Sequence, residues 1–287
     1  MAHLAVEILG SGGAVRTPRP GCTCDLCANA RQIGIPWART GPSIFVHGPN
    51  VLIDTPEDSC YQVDRANLPN IAAGLYSHWH PDHTSGRRMW ETRNADFRHW
   101  PPHSTNTPIY IAPNVWRDFE QMGIAEAFRY KEARGYVTVR VSDAPLDLGG
   151  WRITAHALAE TYVNAFLFEE LDGSRRVLIA MDELFGWTPP AALCGVDLAV
   201  LPKGLFDVHP FSGQRLIPIE HPILRSEATW EQTLAMVDRL APARTVFMHI
   251  EEPESFTPDD YGQLAAQLRT KRGWDVTFAY DTLVIEL

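Results

Sequence analysis

The sequence is short of positive charge. Its 287 residues carry 25 Lys and Arg against 35 Asp and Glu, a formal net charge of −10. An acidic surface repels nucleic-acid phosphates, and no basic stripe marks a segment that would bind them, so a nucleic-acid partner is not expected. Long apolar runs are also missing. No stretch approaches the ~20 residues that a membrane-spanning helix needs. The opening MAHLAVEILG lacks the basic region and the cleavage site of a secretion signal. The expectation is therefore a cytoplasmic chain with no membrane partner. Cysteine is scarce, five in number, with Cys22, Cys24 and Cys27 crowded together. An odd, clustered set fits thiols in a reducing compartment rather than a disulfide framework. The glycine-rich turn Gly10-Ser11-Gly12-Gly13 lacks GxGxxG spacing and no helix signal follows it. It reads as a loop near the functional edge whose backbone amides could touch a substrate. No repeat and no linker divides the chain, which is expected to form one domain over residues 1–287.

What is present is apolar, strand-rich sequence throughout, 45% hydrophobic, enough for a sizeable core. Strands are predicted over 4–9, 71–76, 108–112, 136–141, 151–155, 165–168, 176–181, 196–201 and 245–248. Hairpins are predicted for 43–47 with 51–54 and for 275–280 with 282–286. Helices are predicted over 25–32, 59–69, from Asn114 to about residue 122, from Ser226 to residue 240, and after Thr257-Pro258. Residues 87–107, with Trp90, Phe97, Trp100, His99 and His103, show no periodicity. They read as an aromatic insertion that forms a lid or a homodimer contact.

The most informative stretch is SHWHPDH, from Ser77 to His83. Leaving a strand, alternate residues point the same way, so His78 and His80 can share one ion. Asp82 and His83 follow half a turn later and can face a second. Imidazole suits Zn, Mn and Fe, and a carboxylate hardens the second position. A second constellation, Cys22, Cys24 and Cys27 at CxCxxC spacing, offers three thiolates to a tetrahedral Zn that needs one more ligand. It would pin a long loop in the N-terminal part of the chain that has little core of its own.

SHWHPDH resembles the HxHxDH motif of the metallo-β-lactamase superfamily. The CxCxxC loop after a first strand looks like that superfamily's phosphoribosyl cyclic phosphate phosphodiesterase branch. A coenzyme PQQ biosynthesis protein of the same fold has a similar arrangement. The resemblance implies an α/β, four-layer αββα sandwich and a binuclear site. It places a bridging carboxylate at Asp182, with Glu183 a lesser candidate, and the last ligand at His249. It gives Asp54 the role of supporting the histidine loop by hydrogen bonding, and makes Asp82 a catalytic carboxylate as well as a ligand. The family's third ligand is a histidine after the strand 151–155. Here Glu160 falls at that position, and His156 stands four residues early; Glu160 is the expected ligand. Glu252 falls where the branch has a histidine completing the Cys site, with a water or His3 as alternatives. The proton for the leaving group is assigned to His221 ahead of His209, and Lys203 could neutralise a phosphate.

The expected cofactors are two divalent ions (Zn, Mn or Fe) and one structural Zn. The expected function is a phosphodiesterase that cleaves a small, soluble phosphodiester, cyclic sugar phosphates included, with a bridging hydroxide. The alternatives are another hydrolase of this fold (lactonase, thioesterase, RNA-processing nuclease) or a non-catalytic carrier with a degenerate site.

Overall fold

The computed structural model describes residues 4–287. The strands are β1 Ala5–Gly10, β2 Ser43–His47, β3 Val51–Ile53, β4 Ala73–Leu75, β5 Thr107–Ile111, β6 Val137–Val141 and β7 Leu146–Leu148. They continue with β8 Trp151–Ala157, β9 Asn164–Glu170, β10 Arg176–Ala180, β11 Leu198–Pro202, β12 Arg244–Met248, β13 Val276–Phe278 and β14 Val284–Glu286. They form two seven-stranded sheets, ordered β14-β1-β2-β3-β4-β5-β6 and β13-β12-β11-β10-β9-β8-β7. In the first sheet β3 to β6 run parallel, and in the second β10 to β13 do.

Alternation along the strands separates three apolar layers. Val6, Ile8, Ile44 and Ile53 meet Phe166, Ile179, Val200 and Val246 between the sheets. On the outer side of the first sheet, Phe45, Leu52 and Ile109 pack on Val63, Trp90, Phe119 and Phe128 of the helices. On the outer side of the second, Leu178, Leu201 and Phe247 pack on Leu234 and Val237 of helix Trp230–Leu240 and Leu264 of helix Pro258–Arg272. Central strands such as β10 are apolar on both faces because both faces are covered. The layers, helix, sheet, sheet and helix, make the αββα sandwich expected from the sequence. Each fully buried Leu or Phe contributes roughly 1.5–3 kcal/mol, so this apolar scaffold, rather than the polar strand ends, carries the fold.

Four local expectations need correction. The closing segment is not a hairpin: β13 joins the second sheet and β14 the first. Buried Asp281 fixes the crossing by accepting from Ser11 N–H, Ser11 Oγ–H and Thr40 N–H. Residues 87–107 include helix Met89–Asn94, whose Trp90 is fully buried and donates its indole N–H to Tyr76 Oη at 2.9 Å. Helix Ile124–Ala133 is absent from the sequence expectations; Met122 and Gly123, the latter at φ 72, separate it from helix Pro113–Gln121. Helix Trp230–Leu240 is capped by Thr229 in a capping box with Gln232 rather than by Ser226.

Candidate metal centre

Parallel strands deliver the polar residues to one end of the sandwich. Asp54 follows β3, the motif follows β4, Asp182 follows β10 and His249 follows β12. Such strand ends are where open α/β sheets bind ligands. Asp54 (59°), His249 (56°) and Glu183 (58°), the residue after Asp182, are non-glycine residues at positive φ. That conformation costs of order 1–3 kcal/mol each and clusters at functional sites.

Within the motif, helix Pro81–Thr84 starts on Pro81, immediately after His80. Asp54 is fully buried and organises the turn. Its Oδ1 accepts from Ser77 N–H at 2.8 Å, and its Oδ2 accepts from Ser77 Oγ–H at 2.5 Å and lies 2.7 Å from His83 Nδ1. Ser77 Oγ in turn lies 3.0 Å from His78 Nδ1. With the Nδ1 atoms engaged, Nε2 of His78 and His83 is left facing inward. These two Nε2 atoms, with His249 Nε2 and Asp82 Oδ2, are buried without a hydrogen-bond partner. Orphaned buried polar atoms are costly, and four of them converge here.

The convergence has two halves. Ligand atoms of His78, His80 and Asp182 lie within 4.8 Å of one another, as do those of Asp82, His83 and His249. Asp182 Oδ2 stands between the halves, 3.7 Å from His78 Nε2, 4.0 Å from His80 Nδ1, 3.7 Å from His83 Nε2 and 3.4 Å from His249 Nε2. Donors on one ion with bonds of about 2.1 Å are roughly 3.0–3.8 Å apart, so this donor set fits a pair of divalent ions.

Charge is distributed accordingly. Burial, then the neighbouring His83 and His80, keep His78 below its usual value and hence neutral. Burial opposes protonation of His249 too, but Asp182 and Asp82 push it up to about 9. His83 is likewise raised, against burial, by Asp82 and Asp54. Burial would raise Asp82; the charges of His83 and His249 bring it far below the carboxylate range. A cluster that holds protons on its histidines to balance its carboxylates is one a cation can occupy by displacing them.

Two expected residues lie elsewhere. Glu160 is half-buried in the turn after β8 and is not in the group formed by His78, His80 and Asp182. The same turn instead brings Tyr162 over the rings of His78 and His80, at centroid distances of 6.1 and 5.6 Å. His156, on β8, faces Ala165 in the sheet. His221 is exposed, and its Nδ1 accepts from Ile223 N–H at the start of a 3₁₀ turn. From that segment Ile223 and Glu227 reach the cleft. His209 Nδ1 is likewise taken up by backbone N–H groups, those of Phe211 and Ser212. Lys203 lines the cleft but is buried and ion-paired to Glu254. Gly13 explains the glycine-rich turn, because a Cβ there would lie 2.5 Å from the His249 ring. His99 and His103, in the aromatic insertion, stack at 4.6 Å beside Asp96, whose carboxylate serves their own turn.

The Cys loop closes on Glu252. Its Oε1 lies 3.4, 3.2 and 3.3 Å from the sulfurs of Cys22, Cys24 and Cys27. A tetrahedral Zn with three sulfurs at ~2.3 Å and one oxygen at ~2.0 Å has sulfur–oxygen edges of about 3.5 Å, so the four groups fit such an ion. Burial, and the facing Glu252, push the Cys27 thiol up to about 12, so the four groups together form a cluster that a cation would stabilise. His3 lies outside the described residues. The loop ties directly to the cleft wall: Glu252 N–H donates to Val15 O at 2.9 Å, and Val15 N–H donates to Glu251 Oε1 at 3.2 Å. Among the described residues no helix is long and apolar enough to cross a membrane.

The family profile described as "Beta-lactamase superfamily domain" matches residues 49–250. The chain is similar to the crystal structure of a diphosphatase from the PhnP family (TM-score 0.71, 23% identity, 99% of this chain and 98% of that one). It is similar to Zn(2+)-bound PqqB from Methylobacterium extorquens (TM-score 0.71, 18% identity, 99% and 100%). It is also similar to the short form of human tRNase Z (TM-score 0.60, 16% identity, 98% and 98%). No curated protein matches the sequence.

Proposed function

The chain belongs to the beta-lactamase superfamily, and on that premise we propose that it is a two-metal hydrolase of small phosphodiesters. One observation carries the reading: two groups of ligand atoms share Asp182, a carboxylate within 4.0 Å of four histidines. We assign His78, His80 and Asp182 to one ion and Asp82, His83, His249 and Asp182 to the other, with a structural Zn on Cys22, Cys24, Cys27 and Glu252. Divalent ions held there supply Lewis acidity to a phosphoryl oxygen and bring a water's pKa toward neutrality.

The chain's own residues do the rest. Asp54 fixes the ring of His83 and the Ser77 hydroxyl, so the histidines meet their ions already oriented. The cleft of about 300 Å³ suits a small molecule. Its wall carries Glu183, Glu227 and Glu251, and its lysine, Lys203, is committed to Glu254. An acidic wall of this kind disfavours a polyanionic nucleic acid and accepts a singly charged diester over the ions. Glu227 reaches the cleft where His221 does not, and we assign it the proton for the leaving oxygen.

The test is hydrolysis of bis(p-nitrophenyl) phosphate by full-length protein loaded with Mn or Zn, with metal counted per chain. Turnover that depends on two ions beyond the Cys-site metal is expected, and Asp182→Asn should abolish it. Glu227→Gln should slow alkyl diesters and spare p-nitrophenyl ones, whose leaving group needs no proton. A chain that loads both ions and cleaves no diester under any metal sinks the reading.

A further inference from the structure

The two halves of the site are unequal. One has three donors of its own, Asp82, His83 and His249, besides the shared Asp182; the other group, among the described residues, brings His78 and His80 together with Asp182. Glu160 does not join them, and Tyr162 fills the space above their rings. We propose that Glu183 is the missing ligand, the third protein donor to the ion on His78 and His80.

Three observations meet on this residue. Its Oε1 lies 3.8 Å from His80 Nδ1, within the spread of two donors sharing one ion. It is buried at 5% exposure and lines the cleft, so its carboxylate needs a partner there. Its backbone is left-handed at φ 58°. In an extended strand, neighbours such as Asp182 and Glu183 would point to opposite faces. The left-handed turn after β10 instead brings both into the cleft, and strain of that kind persists where the surroundings enforce it. Tyr162 packs on the same side, its ring 5.6 Å from that of His80 and 6.1 Å from that of His78. The turn expected to supply a ligand supplies an aromatic wall instead. Two imidazoles with two carboxylates form a harder set than three imidazoles with one, which favours Mn or Fe over Zn at this position.

The inference rests on the two-ion reading above, and its test does not depend on turnover. Full-length protein is loaded with Mn²⁺ and examined by electron paramagnetic resonance, with metals counted by mass spectrometry. Wild type should show the spin-coupled signal of a Mn pair. Glu183→Gln should lose one ion per chain and show the six-line signal of isolated Mn²⁺. Glu160→Gln should match wild type. Glu183→His should restore two ions and reverse the preference from Mn to Zn. Retention of the Cys-site Zn reports in each variant that the fold is intact. A coupled pair surviving in Glu183→Gln, or lost in Glu160→Gln, overturns the assignment and leaves the hydrolase reading standing. A wild type that shows the coupled pair, loses it in Glu183→Gln and cleaves no diester does the reverse.

Discussion

Replacing Asp54 by asparagine should uncouple folding from metal binding. Asparagine keeps the size of the side chain and tolerates the left-handed backbone at φ 59°. The hydrogen bonds are what change. Asp54 accepts three donors: Ser77 N–H, Ser77 Oγ–H and the Nδ1 side of His83. An amide offers one acceptor oxygen and an NH₂ group that only donates. If its oxygen keeps Ser77 N–H, its NH₂ faces His83 Nδ1 and drives the imidazole proton to Nε2, the atom an ion needs. If the amide flips, its NH₂ opposes Ser77 N–H. Losing two charge-assisted bonds and partly remaking one costs about 3 kcal/mol of stability, and a mis-set tautomer costs about 10–100-fold in metal affinity. The assays are urea unfolding of the chelator-treated protein and a competitive chelator titration of the loaded one. Wild-type affinity for both ions in Asp54→Asn would falsify the claim that this carboxylate sets the His83 tautomer.

Three further outcomes follow from the same geometry. Gly13→Ala places a methyl group 2.5 Å from the His249 ring; a stability loss of about 1–3 kcal/mol and weaker binding of one ion are expected, both visible in the same titrations. Trp90→Ala empties a fully buried site with an indole hydrogen bond and should cost about 3–5 kcal/mol, whereas Trp100→Ala, at 93% exposure, should stay within about 0.5 kcal/mol by urea midpoint. For the chelator-treated protein, His249 has its pKa raised from 6.5 to about 9. A raised histidine stabilises the fold fully below about pH 6.5 and loses that contribution as pH climbs through 9, a change on the order of 3 kcal/mol. His83 acts in the same sense, and His78, lowered by burial, acts oppositely only below its ordinary value. A urea midpoint that does not fall between pH 6.5 and 9.5 contradicts the pairing of His249 with Asp182 and Asp82.

Much of this was legible in the chain because it is local. HxHxDH sets its donors on one turn by residue spacing alone, and the strand alternation that separates Ile179 from Leu178 into different layers has a period of two whatever the fold. The CxCxxC spacing likewise declares three thiols on one loop. Asp182 and His249 were visible as polar residues ending apolar strands, a position that β10 and β12 share by running parallel.

The remainder was decided in three dimensions. Glu252, expected at the Cys site from its place after His249, reaches the cysteines from 225 positions beyond Cys27, and only the fold makes that contact. The last two strands look like a hairpin because turn residues separate them, yet buried Asp281 sends them to different sheets. His221 has its Nδ1 taken up by a backbone N–H, whereas Glu227 lines the cleft, and spacing does not tell the two apart. Glu160 matches a position in a linear pattern, whereas the place of Glu183 in the cleft depends on one left-handed residue. Spacing determines which donors can share a turn. Only packed strand ends, held at backbone angles the local sequence does not favour, determine which donors share an ion.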